Sequence, residues 1–362
     1  MNLGVFLSIG ESFGDYKKKG QDELIINYLL KNYSRNFEKV FVFSYANESF
    51  TLFNNVYIVP NRFLLHRYLY SLVLPIINYK YIRKCQIFRG LQLTGGIPAV
   101  ITKLMFKKKF VINYGYEYSR FAQIEKKPLQ SWIFKVIEKP LLSIADTVIV
   151  TAKYLRKKLS SFVPLSKLNC LPNGVDTDLF KQKDLKKEFS LLFVGRFEPQ
   201  KNIPALLKAV RLLKLKQKKL LLIGGGSEEK LLLKIALLYN IDLKIYPSVP
   251  HDQLPFYFNK SEIFVLPSLI EGQPKVLLEA MSCGLPVIAS NIEAHREIIV
   301  PYENGILSAT DEVNLAKSIG LLLENKKLRR KIGMAARKTI LSQYSQKLLN
   351  LREIHLLKNL IN

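Results

Sequence analysis

The chain has 362 residues, 48% of them hydrophobic, which is more than one core of ordinary size needs and suits two domains. Its three cysteines, Cys85, Cys170 and Cys283, lie far apart in no C-x-x-C pattern, which excludes a disulfide framework and a zinc-ligand spacing and suits a reducing compartment. A net charge of +26 selects polyanionic partners: nucleic acid, an anionic membrane or a phosphorylated substrate.

The opening residues, Met1 to Ser8, read as a first strand. Their apolar part is too short for a signal peptide and lacks a basic flank, and no run approaches the length that spans a bilayer, so a cytoplasmic protein is expected. A loop over 9–20 holds Gly10, Gly14, Gly20 and the Lys17-Lys18-Lys19 run, and an amphipathic helix is expected from Gln21 to Asn32. Val40 to Ser44 and Val56 to Pro60 read as further strands. Residues 62–84 are apolar and aromatic with basic residues at both ends, and two readings stand. One is a core helix broken at Pro75. The other is a helix in a membrane interface, its Lys and Arg reaching anionic headgroups. There is no acidic residue between Glu48 and Glu117, a stretch that also contains the basic run within 103–109. A strand running into a loop follows at 110–117 and another strand at 145–152, then the turn Pro172-Asn173-Gly174-Val175-Asp176, and a polar linker over 181–189.

The second half opens with the buried run Leu191 to Val194, which delivers Gly195, Arg196 and, five residues on, Lys201 into one loop. Two such cations suit a diphosphate, the arginine as a bidentate fork and the lysine as a point charge. Leu220 to Ile223 runs into Gly224-Gly225-Gly226, which permits close backbone approach. Ile263 to Leu266 then gives a strand, a loop containing Glu271 and Gly272, and Pro274 where a helix begins. That helix carries Glu279 and stops at Gly284 before a strand at Pro286 to Ser290. In a parallel sheet ligands bind where strand ends meet helix starts, so the amides of Lys275, Val276 and Leu277 would face an anion. Helices close the chain, the last from about Gln346.

The run P-S-L-I-E-G-Q-P-K-V-L-L-E at 267–279, followed by A-M-S-C-G-L-P-V-I-A-S, resembles the Glu-x7-Glu signature of the retaining glycosyl transferases group 1. Arg196 and Lys201 are similarly placed to that family's G-R-x4-K. The resemblance implies an α/β protein of the GT-B class, two Rossmann-like parallel-sheet domains facing a central cleft. Residues 1–185 would bind the acceptor, 186–345 the nucleotide sugar, and a helix over 346–362 would cross back to the first domain. It implies that Arg196 and Lys201 hold the donor diphosphate with the amides after Pro274. Glu271 would hold the sugar and brace positive charge at its anomeric carbon, and Glu279 would accept from the ribose. Gly195, Gly224 and Gly272 would line the donor, and the loop with Gly14 and Gly20 would lie against phosphate and acceptor.

Where the family often has His-Gly this chain has Tyr114-Gly115, so no catalytic histidine carries over. His66, His251, His295 and His355 read as surface or packing residues. Asp176-Thr177-Asp178 reads as turn chemistry, and no metal or other cofactor is expected. The expected function is transfer of a hexose or N-acetylhexosamine from a nucleotide sugar, UDP over GDP, to a glycan or lipid-linked acceptor. The enzyme would sit on the inner face of the cell membrane through 62–84 and 103–109. The alternatives are a sugar-nucleotide epimerase on the same fold and a basic nucleic-acid-binding protein, although no nucleic-acid motif is present.

Overall fold

Short apolar runs become mostly buried, mostly parallel strands in the computed structural model, which describes residues 1–18, 22, 24–213 and 219–361. They build two units. The first comprises Met1–Ser119, Trp132–Leu171 and Asn350–Asn362, the second Arg120–Ser131 and Pro172–Leu349. The division falls at Leu171, ahead of the expected position 185, because the Pro-Asn-Gly turn belongs to the second unit. There Val175 bridges to Ser345, and the Asn173 side chain donates to the Gln273 carbonyl at 2.9 Å.

In the first unit β1 (Asn2–Phe6), β2 (Lys39–Phe43), β3 (Thr51–Leu52), β4 (Val56–Val59), β5 (Ile87–Gly90), β6 (Lys109–Tyr114), β7 (Thr147–Val150) and β8 (Leu168–Cys170) lie in the order β3-β4-β2-β1-β5-β6-β7-β8. All pairs are parallel except β3 with β4. The start of the expected helix over 21–32 lies outside the described residues; a π-helical stretch, Leu24–Leu30, continues as α-helix over Lys31–Asn36, past the expected end, and a separate short helix forms at Phe13–Lys18.

The 62–84 segment folds as α1 (Arg67–Ile77), unbroken at Pro75. The interruption comes at Asn78, whose side-chain amide satisfies the Leu74 carbonyl at 3.1 Å. One face of α1, with Tyr70 and Leu74, joins the core of Phe6, Phe43, Phe88 and Phe110, and α2 (Gly96–Phe106) packs beside it.

The C-terminal helix Gln346–Asn359 is fastened to this unit by charge. Glu353 accepts from Arg89 Nε at 2.9 Å and from the Tyr33 hydroxyl at 2.8 Å, and Arg89 also donates to Asn113. The guanidinium is 2% exposed, so the carboxylate is its compensation.

The second sheet contains β9 (Phe189–Val194), β10 (Leu220–Ile223), β11 (Leu243–Tyr246), β12 (Ser261–Leu266), β13 (Val287–Ser290) and β14 (Ile306–Ser308), all parallel, in the order β11-β10-β9-β12-β13-β14. The chain leaves β9 toward β10 on one side and returns to β12 on the other, so the loops after β9 and β12 diverge from adjacent strand ends. Open α/β sheets bind ligands at such a switch point. Three helices frame it: α3 (Ile203–Leu212), α4 (Glu229–Leu238) and α5 (Lys275–Ser282). Pro274, expected as the first helical residue, instead caps α5 in an extended conformation one place before Lys275, and Gly284 closes it at φ +68°, a left-handed conformation that favours glycine.

Glu353→Ala strands a buried cation, and breaking such a pair costs about 3–5 kcal/mol. The first unit's urea unfolding midpoint is therefore expected to fall sharply, while the double variant Arg89→Met plus Glu353→Leu recovers most of the loss. A Glu353→Ala midpoint equal to wild type would show that the ion pair does not fasten this helix.

Candidate active site

Within the second unit the loops after β9 and β12 are tied together before any ligand is considered. The Leu269 amide donates to the Gln200 carbonyl at 2.8 Å, and the Asn202 side chain reaches the carbonyls of Thr310 at 2.8 Å and Pro267 at 3.3 Å. This brings Lys201 and Glu271, 70 residues apart in sequence, into an ion pair. Their side chains are only 13% and 8% exposed.

Ser268 donates to the same carboxylate oxygen at 2.7 Å. Burial pushes the Glu271 carboxyl upward, but the Lys201 ammonium, aided by the nearby His295 ring and the Ser268 hydroxyl, outweighs it and holds the group below the usual carboxylate range. The site therefore contains a fixed anion and a fixed cation in a water-poor setting, where each acts more strongly than at the surface.

Gly272 is buried beneath the loop, and Gln273 is gripped on both sides by Asn173, which donates its amide to the side chain and its own side-chain amide to the backbone. At the start of α5 the Leu277 amide donates to the Pro274 carbonyl at 3.2 Å and is already engaged. Among the described residues Lys275 and Val276 find no backbone acceptor for theirs. The expected three open amides are thus two. Glu279, buried one turn further on, accepts from His251 Nε2 at 2.8 Å, and the His251 ring rests against Phe180 at 5.0 Å between centroids.

Arg196 stands apart from this cluster. Its side chain is 61% exposed and pairs with Glu125 at 3.3 Å instead of joining Lys201. Gly195 and Gly224 have a backbone reason to be glycine: a Cβ on Gly224 would lie 2.0 Å from the Gly195 carbonyl oxygen, so the two loops meet main chain to main chain.

In the first unit Gly14 lies in the first turn of the Phe13–Lys18 helix, not in an open loop. Its amide and that of Phe13 donate to the Glu48 carboxylate, at 3.4 and 2.8 Å, so a carboxylate holds the place expected for a phosphate. Gly20 lies outside the described residues. Asp176 accepts from the amides of Asp178 and Leu179 at 2.9 and 3.0 Å, which makes it a turn residue.

Two residues read from sequence as packing are placed on the carboxylates. His251 holds Glu279, and His295 is wholly buried, close enough to Glu271 to interact with its charge, with Nδ1 2.8 Å from the Ser290 carbonyl oxygen. Burial disfavours charge on the His295 ring and keeps its pKa below the ordinary imidazole value despite the attraction of Glu271. No motif marked either residue. Their one signal is position, His251 opening the short helix that leads into β12 and His295 following β13.

Residues 175–339 match the model for the family Glycosyl transferases group 1. Among curated proteins, the O-antigen chain mannosyltransferase B of Escherichia coli is 32% identical over 146 residues, which is 39% of this chain and 37% of that protein. An Escherichia coli enzyme named UDP-Gal:alpha-D-GlcNAc-diphosphoundecaprenol alpha-1,3-galactosyltransferase is 28% identical over 171 residues, 42% of this chain and 44% of that protein. The chain spans between 37% and 61% of the length of the first curated relatives it matches. Among solved structures, Anabaena HepE in complex with UDP superposes with a TM-score of 0.80 at 17% identity, covering 99% of this chain and 100% of that one. The fold is GT-B, and its second unit, which carries the Lys201–Glu271 pair and α5, matches the glycosyl transferases group 1 over residues 175–339.

Proposed function

We propose that the protein is a retaining glycosyltransferase that moves a hexose or N-acetylhexosamine from a UDP-linked sugar to a hydroxyl of a glycan or lipid-linked acceptor, in the synthesis of a cell-surface polysaccharide or lipid glycan. The observation that carries this reading is the buried Lys201–Glu271 pair at the switch point, beside a helix start with two open amides. The chemical demand of the reaction is to stabilise charge growing on the leaving diphosphate. Lys201 and the amides of Lys275 and Val276 would meet it, joined by Arg196 once its exposed side chain leaves Glu125, so the reading needs no metal ion.

As Lys201 turns to the diphosphate, Glu271 accepts hydrogen bonds from the sugar and braces the positive charge at the anomeric carbon. Glu279, oriented by His251, accepts from the ribose hydroxyls. The bond from anomeric carbon to diphosphate oxygen breaks, the acceptor oxygen bonds to the same face, and the acceptor proton passes to the departing phosphate. Of the two Escherichia coli relatives, the one whose name states UDP-Gal and a diphosphoundecaprenol-linked acceptor favours UDP and a lipid-linked glycan, the one named for an O-antigen chain favours a cell-surface polysaccharide, and the UDP bound to HepE favours UDP.

The proposed seat of this enzyme is the inner face of the membrane. Among the described residues no helix is long and apolar enough to cross one. The two readings of 62–84 correspond to two faces of α1. Tyr70 and Leu74 are buried, while Leu69, Leu72 and Ile76, at helical spacing, are exposed beside Phe63, Tyr68 and Tyr79. Arg62, Arg67, Lys80, Arg83 and Lys84 flank that apolar face, and Leu104, Met105 and Lys107 extend the same composition at the end of α2. Apolar side chains ringed by cations suit an anionic bilayer surface, where each basic residue adds roughly 1 kcal/mol.

Isothermal titration is expected to show UDP binding with or without magnesium, and at least tenfold weaker binding in the variant Arg196→Ala plus Lys201→Ala. Binding of neither UDP nor GDP would overturn the donor site. In sedimentation with phosphatidylglycerol vesicles, Leu72→Glu plus Ile76→Glu is expected to weaken association at least tenfold, since withdrawing one such side chain from water contributes about 1.5–3 kcal/mol. Unchanged vesicle binding would remove α1 from the membrane contact.

A further inference from the structure

His295 is the least explained group near the candidate site. It follows β13 on a short helix, Glu293–Arg296, and has no exposed surface. A carbonyl oxygen can only accept, so the 2.8 Å contact to the Ser290 carbonyl fixes the proton on Nδ1. The other nitrogen, Nε2, is then an unprotonated acceptor, and it is buried with no hydrogen-bond partner in the protein among the described residues. An apolar side chain would fill that space without this cost.

A chain of hydrogen bonds runs from the ring to the donor-sugar carboxylate. His295 Nδ1 lies 3.2 Å from Ser290 Oγ, Ser290 Oγ donates to the Ser268 carbonyl, and Ser268 Oγ donates to Glu271 Oε1 at 2.7 Å. The middle link, from Ser290 to Ser268, joins the end of β13 to the loop after β12. Because Ser268 bonds through its carbonyl on one side and its hydroxyl on the other, the position of Ser290 sets the position of the group that aims Glu271.

We propose that His295 is a positioning residue for Glu271: anchored through Nδ1–H at the end of β13, it holds the Ser290–Ser268 relay that fixes the carboxylate against Lys201 and toward the donor sugar. The inference rests on the donor-site reading above and deepens it, since it assigns to the sugar end of that site a support separate from the diphosphate contacts. A displacement of the order of 1 Å at a reacting group can cost about 100-fold in rate. The nucleotide's own contacts, Lys201, the α5 amides and Glu279, remain in place, so its affinity changes far less than turnover.

The test compares wild type with His295→Leu, which keeps bulk without a donor, His295→Asn, which keeps an N–H near Nδ1, and Ser290→Ala, which cuts the relay at a smaller side chain should the leucine variant fail to fold. UDP affinity is measured by titration and turnover by release of UDP from UDP-glucose. We expect His295→Leu and Ser290→Ala to lose about 100-fold in kcat with a far smaller change in UDP affinity, and His295→Asn to recover most of the loss. Wild-type kcat in both His295→Leu and Ser290→Ala, or an equal loss in the leucine and asparagine variants, would overturn the proposal.

Two NMR readouts do not depend on turnover. With four histidines in the chain, the nitrogen spectrum is expected to assign His295 as a neutral Nδ1–H ring. The side-chain carboxyl carbon of Glu271 is expected to shift in His295→Leu and to return in His295→Asn. An Nε2–H ring, or a Glu271 signal indifferent to both variants, would refute the inference even if UDP and UDP-glucose prove to be the wrong ligands, a result that would count against the donor reading alone.

Discussion

The ion pair between Lys201 and Glu271 is the constraint on which the second unit's candidate site depends. A carboxylate buried to this extent is costly unless a cation and hydrogen bonds compensate it, and removing one member of such a pair costs about 3–5 kcal/mol. The loops after β9 and β12 must therefore meet at one separation. The Leu269–Gln200 backbone bond and the reach of Asn202 to Pro267 and Thr310 enforce it. The sheet order makes this possible, because β9 and β12 are neighbours although about seventy residues of chain lie between their ends. On the proposed reading a diphosphate competes with Glu271 for Lys201, which makes the pair the switch that frees the carboxylate for the sugar.

The large positive charge is handled differently in the first unit. One arginine, Arg89, is taken inside and matched by Glu353 across a sequence separation of 264, which recruits the C-terminal helix into that unit. Many other basic residues stay outside, among them those flanking the exposed face of α1. Buried charge thus fixes chain topology, and exposed charge is left for partners. The acidic side chain of Glu48 closes the first helix of this unit with two backbone amides, the same geometry by which α5 would receive a phosphate in the second.

Much of this was legible in the residues. The strand, loop and helix over 261–284 could be read because an apolar run, a proline and a left-handed glycine punctuate it, and each acts within a few positions of itself. The spacing of Glu271 and Glu279 was legible for the same reason. What escaped was set by distant contacts. Nothing near His251 or His295 shows that they approach carboxylates brought by other elements, and nothing near Arg196 shows that Glu125 lies within reach. Asn173 gripping Gln273 moved the unit boundary from 185 to 171 across a separation of 100 residues, and no local pattern encodes that. The 62–84 segment was ambiguous in sequence because both faces of α1 are apolar, and only the packing of Tyr70 and Leu74 separates the inward face from the outward one.

The most direct measurement is a crystal structure of the protein with UDP. On the proposed reading the diphosphate lies against Lys201 Nζ and the amides of Lys275 and Val276, with the ribose hydroxyls on Glu279 and the Lys201–Glu271 pair opened or shared. UDP bound elsewhere, for example in the lysine-lined cavity of about 870 Å³ near Lys186, Lys219 and Lys244 at the opposite end of the sheet, with Lys201 still closed on Glu271, would contradict it.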